Sequence, residues 1–414
     1  MTLQPYPGLL DGPPFTAGAE SLAAHQGRLG SLPTGPDRLG LIERLEASGL
    51  QGRGGAGFPV GRKWRSVAER SRGRAVVLAN GAEGEPLSAK DRTLMAARPH
   101  LILDGAGLAA DAVGADKIVL YVGQEHRTAA AALEHALEER SREFGRRARL
   151  VRAPLGYVSG EETAAVHYVN EADARPTSTP PRPFESGVSG RTTLVQNVES
   201  LALTALIARF GDGWYRAAGR GATAGSALVT VSGPLPYPGV REIGLGTTVG
   251  EVAAAAGQLR EPVEAVLLGG YFGAWAPIEE AWRAPLDPAA MRAAGLAFGC
   301  GVVAFLPGAV CGVTATARIL RYLAAASSGQ CGPCVFGLAA VADATARLAG
   351  GTALPDDLDR LNRWCGQLAG RGACRHPDGA GGLLQSALRV FGAEFAVHQR
   401  HRRCKHGPLR REAA

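Results

Sequence analysis

Ser328, Cys331 and Cys334 follow one another at steps of three, and Cys374 lies forty residues past Cys334. Two close thiolates at a helix start with a remote third suit an iron–sulfur cluster. A zinc ion would need a fourth good ligand, and His376 is the only one nearby. Cys300, Cys311, Cys365 and Cys404 share no such spacing and read as structural or incidental. The second signal is Gly52-Arg-Gly-Gly-Ala-Gly-Phe-Pro59, in which Gly52, Gly54, Gly55 and Gly57 put four glycines into six residues. Each glycine costs ~1 kcal/mol inside a helix, so this segment is a loop. Its backbone N–H groups can turn toward an anion, and a helix over residues 60–68 would add positive potential at its N-terminus. The loop matches neither the dinucleotide fingerprint nor the Walker spacing, so alone it remains open between a phosphate cradle and an ordinary turn. Phe58 closes the loop, and Lys63 is placed to reach the same phosphate or a flavin edge.

Two acidic segments accompany these. Asn80, Glu83 and Glu85 follow the apolar run Ala75-Val-Val-Leu-Ala79, at the carboxyl end of a strand where α/β folds bind ligands. Gly156 to Thr163 carries Glu161 and Glu162 in a glycine-flanked turn. The first segment reads as contacts to a cofactor or substrate or as solvated loop acids; the second as paired carboxylates that fix ribose hydroxyls or tune a redox potential, or as acids at a helix N-terminus.

The elements that must position these groups alternate. Residues 75–79 and 117–122 read as buried strands, and 101–113 and 128–140 as helices, which implies a parallel α/β sheet. The first ~45 residues are rich in proline and glycine, with one helical stretch at 19–29, and read as a surface wrap. Residues 228–232 and 239–243 form a hairpin, followed by a capping box at Thr248-Val-Gly-Glu251, which suggests a β-grasp module. Helices at 318–325, 336–348, 357–368 and 383–395 read as a bundle. The expected boundaries are 1–48 for an N-terminal segment, 49–222 for the parallel-sheet domain, 223–310 for the β-grasp domain, 311–397 for the helical domain and 398–414 for a disordered basic tail.

Composition excludes several classes. The formal charge is +7, but residues 398–414 hold six Lys/Arg against one acid, so the body is near neutral and a nucleic-acid surface is not expected. Residues 293–317 carry no charge, yet their glycines and Pro307 read as buried strands rather than a membrane span. No signal pattern opens the chain, and seven irregularly spaced cysteines fit a reducing cytoplasm.

Taken in order, these motifs resemble the NADH-binding flavoprotein of respiratory complex I, its F-type subunit, over roughly Ser48 to Phe395. Ser48 to Trp64 is similar to that family's flavin loop, Asn80 to Arg92 to its second motif, and Gly160-Glu-Glu-Thr-Ala164 to its third. Gly190 to Glu199 resembles the segment closing over the flavin, and residues 226–275 a soluble-ligand-binding β-grasp domain. Ser327 to Cys334 with Gly370 to Cys374 resembles the iron–sulfur helical domain. The resemblance implies an α/β fold: an FMN-binding parallel-sheet domain, a β-grasp domain and a helical bundle carrying the cluster. It implies FMN held by Gly52, Arg53, Gly54, Gly55, Gly57, Phe58, Lys63, Asn80, Glu83, Gly160, Glu161, Gln196 and Asn197. Phe58, Glu85 and Glu162 would face the nicotinamide nucleotide, with the two acids at the catalytic position. A [4Fe-4S] cluster would sit on Cys331, Cys334 and Cys374, with Ser328 at the fourth position.

The chain departs from the family in two places. The family has cysteine where this chain has Ser328, which leaves a [4Fe-4S] cluster with serine or water at one iron, a [3Fe-4S] cluster, or an incomplete one. Cys365 could substitute only if the helices permit. In the nucleotide pocket, Ala82 replaces an acid, Thr179-Pro-Pro-Arg182 lacks a lysine and an adenine-stacking aromatic, and Ser66 replaces a second aromatic. Lost stacking weakens NADH binding by ~1–3 kcal/mol per base, while Arg182 can stack and also favours phosphate, so among NAD(H), NADP(H) or neither the preference is expected to shift toward NADPH or toward no nicotinamide. The expected function is an NAD(P)H dehydrogenase passing electrons through FMN and the cluster to a ferredoxin-like or other iron–sulfur protein. No additional ferredoxin-like domain is read at the N-terminus, and the basic tail is a candidate dock for an acidic partner. The rival readings are a relay between ferredoxin-like proteins and a scaffold depleted of cofactors. Lys63 and Lys90, two of only four lysines, fall inside these motifs.

Overall fold

The computed structural model describes residues 7–32, 38–220 and 224–406. These form two compact units, one of residues 1–230 with 240–247 and one of 231–239 with 248–414.

The first unit is built on strands β1 (Ala75–Gly81), β2 (Ala115–Gly123), β3 (Ala148–Ala153) and β4 (Thr193–Asn197), parallel and in the order β3-β2-β1-β4. The unbroken apolar run of β1 is explained by cover on both faces, as parallel sheets require. Successive side chains alternate, so Val77 and Ala79 join one core while Val76 and Leu78 join the other. The first core is sealed by helices Pro99–Val113 and Val198–Ala217, and the second by helix Glu162–Glu171. Pro99 opens its helix where a missing N–H costs nothing, and Gly114 closes it in the left-handed region at φ 66°.

The N-terminal segment is not a surface wrap. Leu9, Leu29, Leu41, Ile42 and Leu45 are buried in the first core, on helices Leu22–Leu29 and Arg38–Ser48 and the stretch before them. Its polar anchor is Glu242, whose carboxylate accepts the N–H of Leu9 at 2.6 Å and the hydroxyl of Ser226 at 2.8 Å.

A second sheet comprises β5 (Ser226–Ser232), β6 (Gly239–Gly244), β7 (Val263–Leu268), β8 (Ala274–Pro277) and β9 (Val302–Pro307), in the order β6-β5-β9-β7-β8. The capping box at Thr248 and Glu251 starts helix Val249–Ala255, so hairpin, helix and strands give a β-grasp arrangement. The uncharged stretch 293–317 divides into the single strand β9 and the start of helix Gly312–Ala325, and no helix among the described residues is long and apolar enough to cross a membrane.

The helical part of the second unit contains Gly312–Ala325, Ala339–Ala349, Asp357–Leu368, His376–Val390 and Gly392–His401. The single helix expected at 383–395 is two, broken at Phe391 before Gly392. Order continues past His398, where a disordered tail was expected: His398 is buried on the last helix, and Lys405 pairs with Glu394 at 2.9 Å. The rest of that tail, residues 407–414, lies outside the described residues.

Candidate functional site

In the first unit the parallel register brings Asn80, Tyr121 and Asn197 side by side at the carboxyl ends of β1, β2 and β4. The glycine loop lies over the β4 end. Gly52 N donates to Phe58 O at 2.9 Å, closing the loop, and a Cβ on Gly54 would stand 3.5 Å from Asn197 Cβ. Gly57 holds φ +65°, a conformation that L side chains resist, and Gly55 faces open space. Helix Val60–Arg70 begins directly after the loop. Phe58 is half exposed at its mouth.

From the other side comes the 156–162 segment. Asn80 Nδ2 donates to Gly160 O at 2.8 Å, and a Cβ on Gly160 would lie 2.6 Å from Ala82 O. Only glycine permits that approach. Lys63 Nζ donates to Glu162 Oε2 at 3.1 Å, so the ammonium of one motif meets a carboxylate of another. Glu85 is buried and accepts the Tyr157 hydroxyl at 2.9 Å. Tyr157 is not among the residues that type and spacing single out. It lies in the same glycine-flanked turn, two residues before Ser159, whose carbonyl accepts the Tyr121 hydroxyl at 3.1 Å.

Other residues of the expected set turn inward or cap helices. The Arg53 guanidinium is buried, donating to Tyr215 Oη at 2.9 Å and Ser226 O at 2.8 Å, and its backbone N–H donates to Ser200 Oγ at 2.9 Å. Glu83 accepts Ser88 Oγ at 2.5 Å and Asp91 N at 3.1 Å, satisfying the first turn of helix Lys90–Ala97. Burial and the Asp91 charge push its carboxyl above the usual range. Glu161 caps helix Glu162–Glu171 by accepting Thr163 N at 2.9 Å and Ala164 N at 3.0 Å. Gln196 accepts Trp64 Nε1 at 3.3 Å. Beneath the loop, Lys90 is buried rather than open to a ligand: its Nζ lies 2.7 Å from Asp91 Oδ1 and 2.8 Å from Glu199 Oε2. Burial would lower its pKa, but the charges of Asp91, Glu199 and Glu83 hold it above the ordinary range. Asn197 joins the network by donating to Asp91 Oδ2 at 2.8 Å while capping helix Val198–Ala217. Asp91 and Glu199 are functional supports visible in the sequence only as the ends of two motifs.

In the second unit Cys331 and Cys334 flank the start of Pro333–Leu338, a π-helical turn of the kind found at functional sites. Burial, together with the Cys331 and Cys374 sulfurs, pushes the Cys334 thiol up to about 12. Burial opposes ionisation of Cys331, but the backbone N–H groups of Ala373 and Cys334 hold its thiol below the ordinary value. Ser328 is half-buried, and it is the Ser327 hydroxyl that bonds to Cys334. Burial pushes Cys365 up to about 11. His376, the candidate fourth ligand for zinc, directs its Nε2 to Leu323 O at 2.7 Å.

Two family models match the chain: the Nuo51 FMN-binding domain over residues 45–205 and the NADH-ubiquinone oxidoreductase-F iron-sulfur binding region over residues 314–398. The chain is 32% identical over 383 residues to the second F subunit of NADH-quinone oxidoreductase in Rhizobium meliloti (strain 1021), covering 89% of this chain and 90% of the relative. The chain belongs to the family of NADH-quinone oxidoreductase F subunits. The F subunit of Rhodobacter capsulatus is 31% identical over 377 residues, covering 87% of this chain and 88% of that one. Among solved structures, the NAD+-reducing [NiFe]-hydrogenase in its H2-reduced state aligns with a TM-score of 0.82 and 30% identity over 89% of this chain. This chain spans 64% of that hydrogenase chain's length. The flavin motifs, from Gly52 to Asn197, fall within the first matched region, and Ser328, Cys331, Cys334 and Cys374 fall within the second.

The residues fit both groups. The glycine loop presents open backbone beside the N-terminus of helix Val60–Arg70, with Lys63, Asn80 and Glu162 around it, as a flavin phosphate and ring need. Cys331, Cys334 and Cys374, all free thiols within the matched iron–sulfur region, offer three of the four ligands of a cubane.

Proposed function

We propose that this chain oxidises NADH and passes the electrons through FMN to an iron–sulfur cluster on Cys331, Cys334 and Cys374. FMN held there would supply the chemistry of taking one hydride, two electrons with one proton, and giving the electrons up singly, which lets two-electron chemistry feed one-electron carriers. The protein's part is positioning. The Gly52–Gly57 backbone and the helix that follows hold the phosphate, while Lys63, tied to Glu162, presents an ammonium at the flavin side of the loop. Asn80, fixed to Gly160 O, and Asn197, fixed to Asp91, would help hold the flavin at the sheet edge. Glu85, held by Tyr157, and the exposed ring of Phe58 face the nicotinamide side. Glu83, Glu161, Gln196 and the Arg53 side chain act as supports, since each spends its polar atoms on backbone or buried partners. The observation that carries this reading is the convergence of three separate motifs, at Gly54, Asn80–Gly160 and Lys63–Glu162, at the carboxyl edge of one parallel sheet.

The electrons leave to another iron–sulfur protein within a larger assembly, and a ferredoxin-like carrier is the partner we favour. A cytoplasmic location belongs to this reading, because free thiols persist in a reducing compartment. The donor is tested by stopped-flow reduction of the bound flavin. NADH is expected to bleach it faster than NADPH. Faster reduction by NADPH would assign Arg182 a 2′-phosphate role, and no reduction by either would leave a relay between protein partners.

A further inference from the structure

Three residues that neither cofactor motif uses converge in the second unit. Cys311, buried, immediately precedes helix Gly312–Ala325; His398, buried, lies on helix Gly392–His401; Cys404 follows that helix. Their ligand atoms all lie within 4.8 Å of one another. Cys311 Sγ is 3.5 Å from His398 Nε2 and 3.7 Å from Glu394 Oε2. Around a tetrahedral zinc, with Zn–S ~2.3 Å and Zn–N ~2.0–2.1 Å, sulfur and nitrogen ligands stand about 3.5 Å apart. The donors are thus already near ligand-to-ligand spacing.

The surroundings orient them as a metal site needs. His398 Nδ1 donates to Leu348 O at 3.0 Å, which fixes the tautomer and leaves the Nε2 lone pair facing the sulfur. His406 N donates to Cys404 Sγ at 3.4 Å, which orients the sulfur. Glu394 and His398, four residues apart, share one face of their helix. Glu394 Oε2 also accepts the Gly312 N–H at 3.2 Å, and its other oxygen meets Lys405 at 2.9 Å, so the carboxylate beside the sulfurs is itself paired. Neither Cys311 nor Cys404 falls within the iron–sulfur region matched at 314–398.

We propose that Cys311, His398 and Cys404 bind a zinc ion as its three protein ligands. Thiolate and imidazole donors select zinc over the hard divalent ions, and donors gathered this closely suit one ion rather than a cubane. Binding releases the two thiol protons to solvent and closes a long loop, tying the segment after the last helix to the start of helix Gly312–Ala325.

The test measures zinc and iron together in the full chain carrying flavin and cluster. Wild type is expected to hold one zinc per chain, and its zinc-edge X-ray absorption is expected to show two sulfur scatterers at ~2.3 Å. Cys404→Ser is expected to lose the zinc while its iron and flavin contents stay unchanged. Three results would overturn the proposal: no zinc retained by wild type after loading, a zinc shell without sulfur, or a Cys311–Cys404 disulfide found by mass spectrometry. Loss of iron in step with zinc in Cys404→Ser would also overturn it, by assigning these thiols to the cluster. The wild-type measurements decide the matter even where the variant folds poorly.

Discussion

Lys63 and Glu162 come from motifs ninety-nine residues apart and meet at 3.1 Å. Both side chains keep a quarter or more of their surface exposed, so the pair itself adds little stability, and its worth lies in what it presents to a ligand. Replacing Lys63 with methionine removes a charge-assisted hydrogen bond of about 1.5 kcal/mol, so FMN should bind roughly tenfold more weakly. Fluorescence of released flavin measures this, and unchanged affinity would take Lys63 off the phosphate or ring. The residue scale is also where the sequence is least legible. Residue type and position pick out Arg53, Glu83 and Glu161, but their partners, Ser226 O, Asp91 N and Thr163 N, are set by backbone geometry that spacing does not reveal. Cys311, His398 and Cys404 read as unrelated because 87 residues separate the first two and only the fold closes that gap.

The elements that hold the site depend on buried charge. Under the glycine loop, Lys90 and Arg53 face Asp91 and Glu199, with Glu199 fully buried. A buried pair contributes modestly as a whole, yet removing one partner strands the other's charge at a cost of about 3–5 kcal/mol. Lys90→Met should therefore lower the melting temperature sharply, and a melt within a degree or two of wild type would contradict the network. The N-terminal segment depends on Glu242, whose carboxyl burial pushes up to about 7 from 4.5. Since the folded state holds this proton more tightly than the unfolded chain, its contribution is full below pH ~4.5 and is lost as pH rises through ~7. Wild type should gain stability relative to Glu242→Gln as pH falls from about 7 toward about 5, and parallel profiles would refute this. Strands and helices are largely legible, because the 75–79 run and the 357–368 amphipathic pattern each suit one element type. The break at Phe391 is not, since no proline marks it. Nor is the burial of the N-terminus, where Pro and Gly signal turns but Leu9, Leu41 and Leu45 decide the packing.

At the scale of the whole molecule, a flavin unit and a cluster unit are legible because each is announced by residues that ordinary folding would not favour: left-handed glycines in one, closely spaced thiols in the other. In the proposed function, the flavin edge of the parallel sheet and the thiol group of the helical unit are the two ends of one electron path. Electrons from NADH enter at the first and reach the second. An anaerobic titration of the full chain with NADH, followed by absorbance and low-temperature EPR on the same samples, examines both ends at once. Flavin absorbance is expected to bleach, with an iron–sulfur signal changing in step with it. Flavin bleaching with no iron–sulfur response, in protein that contains iron, would contradict that path.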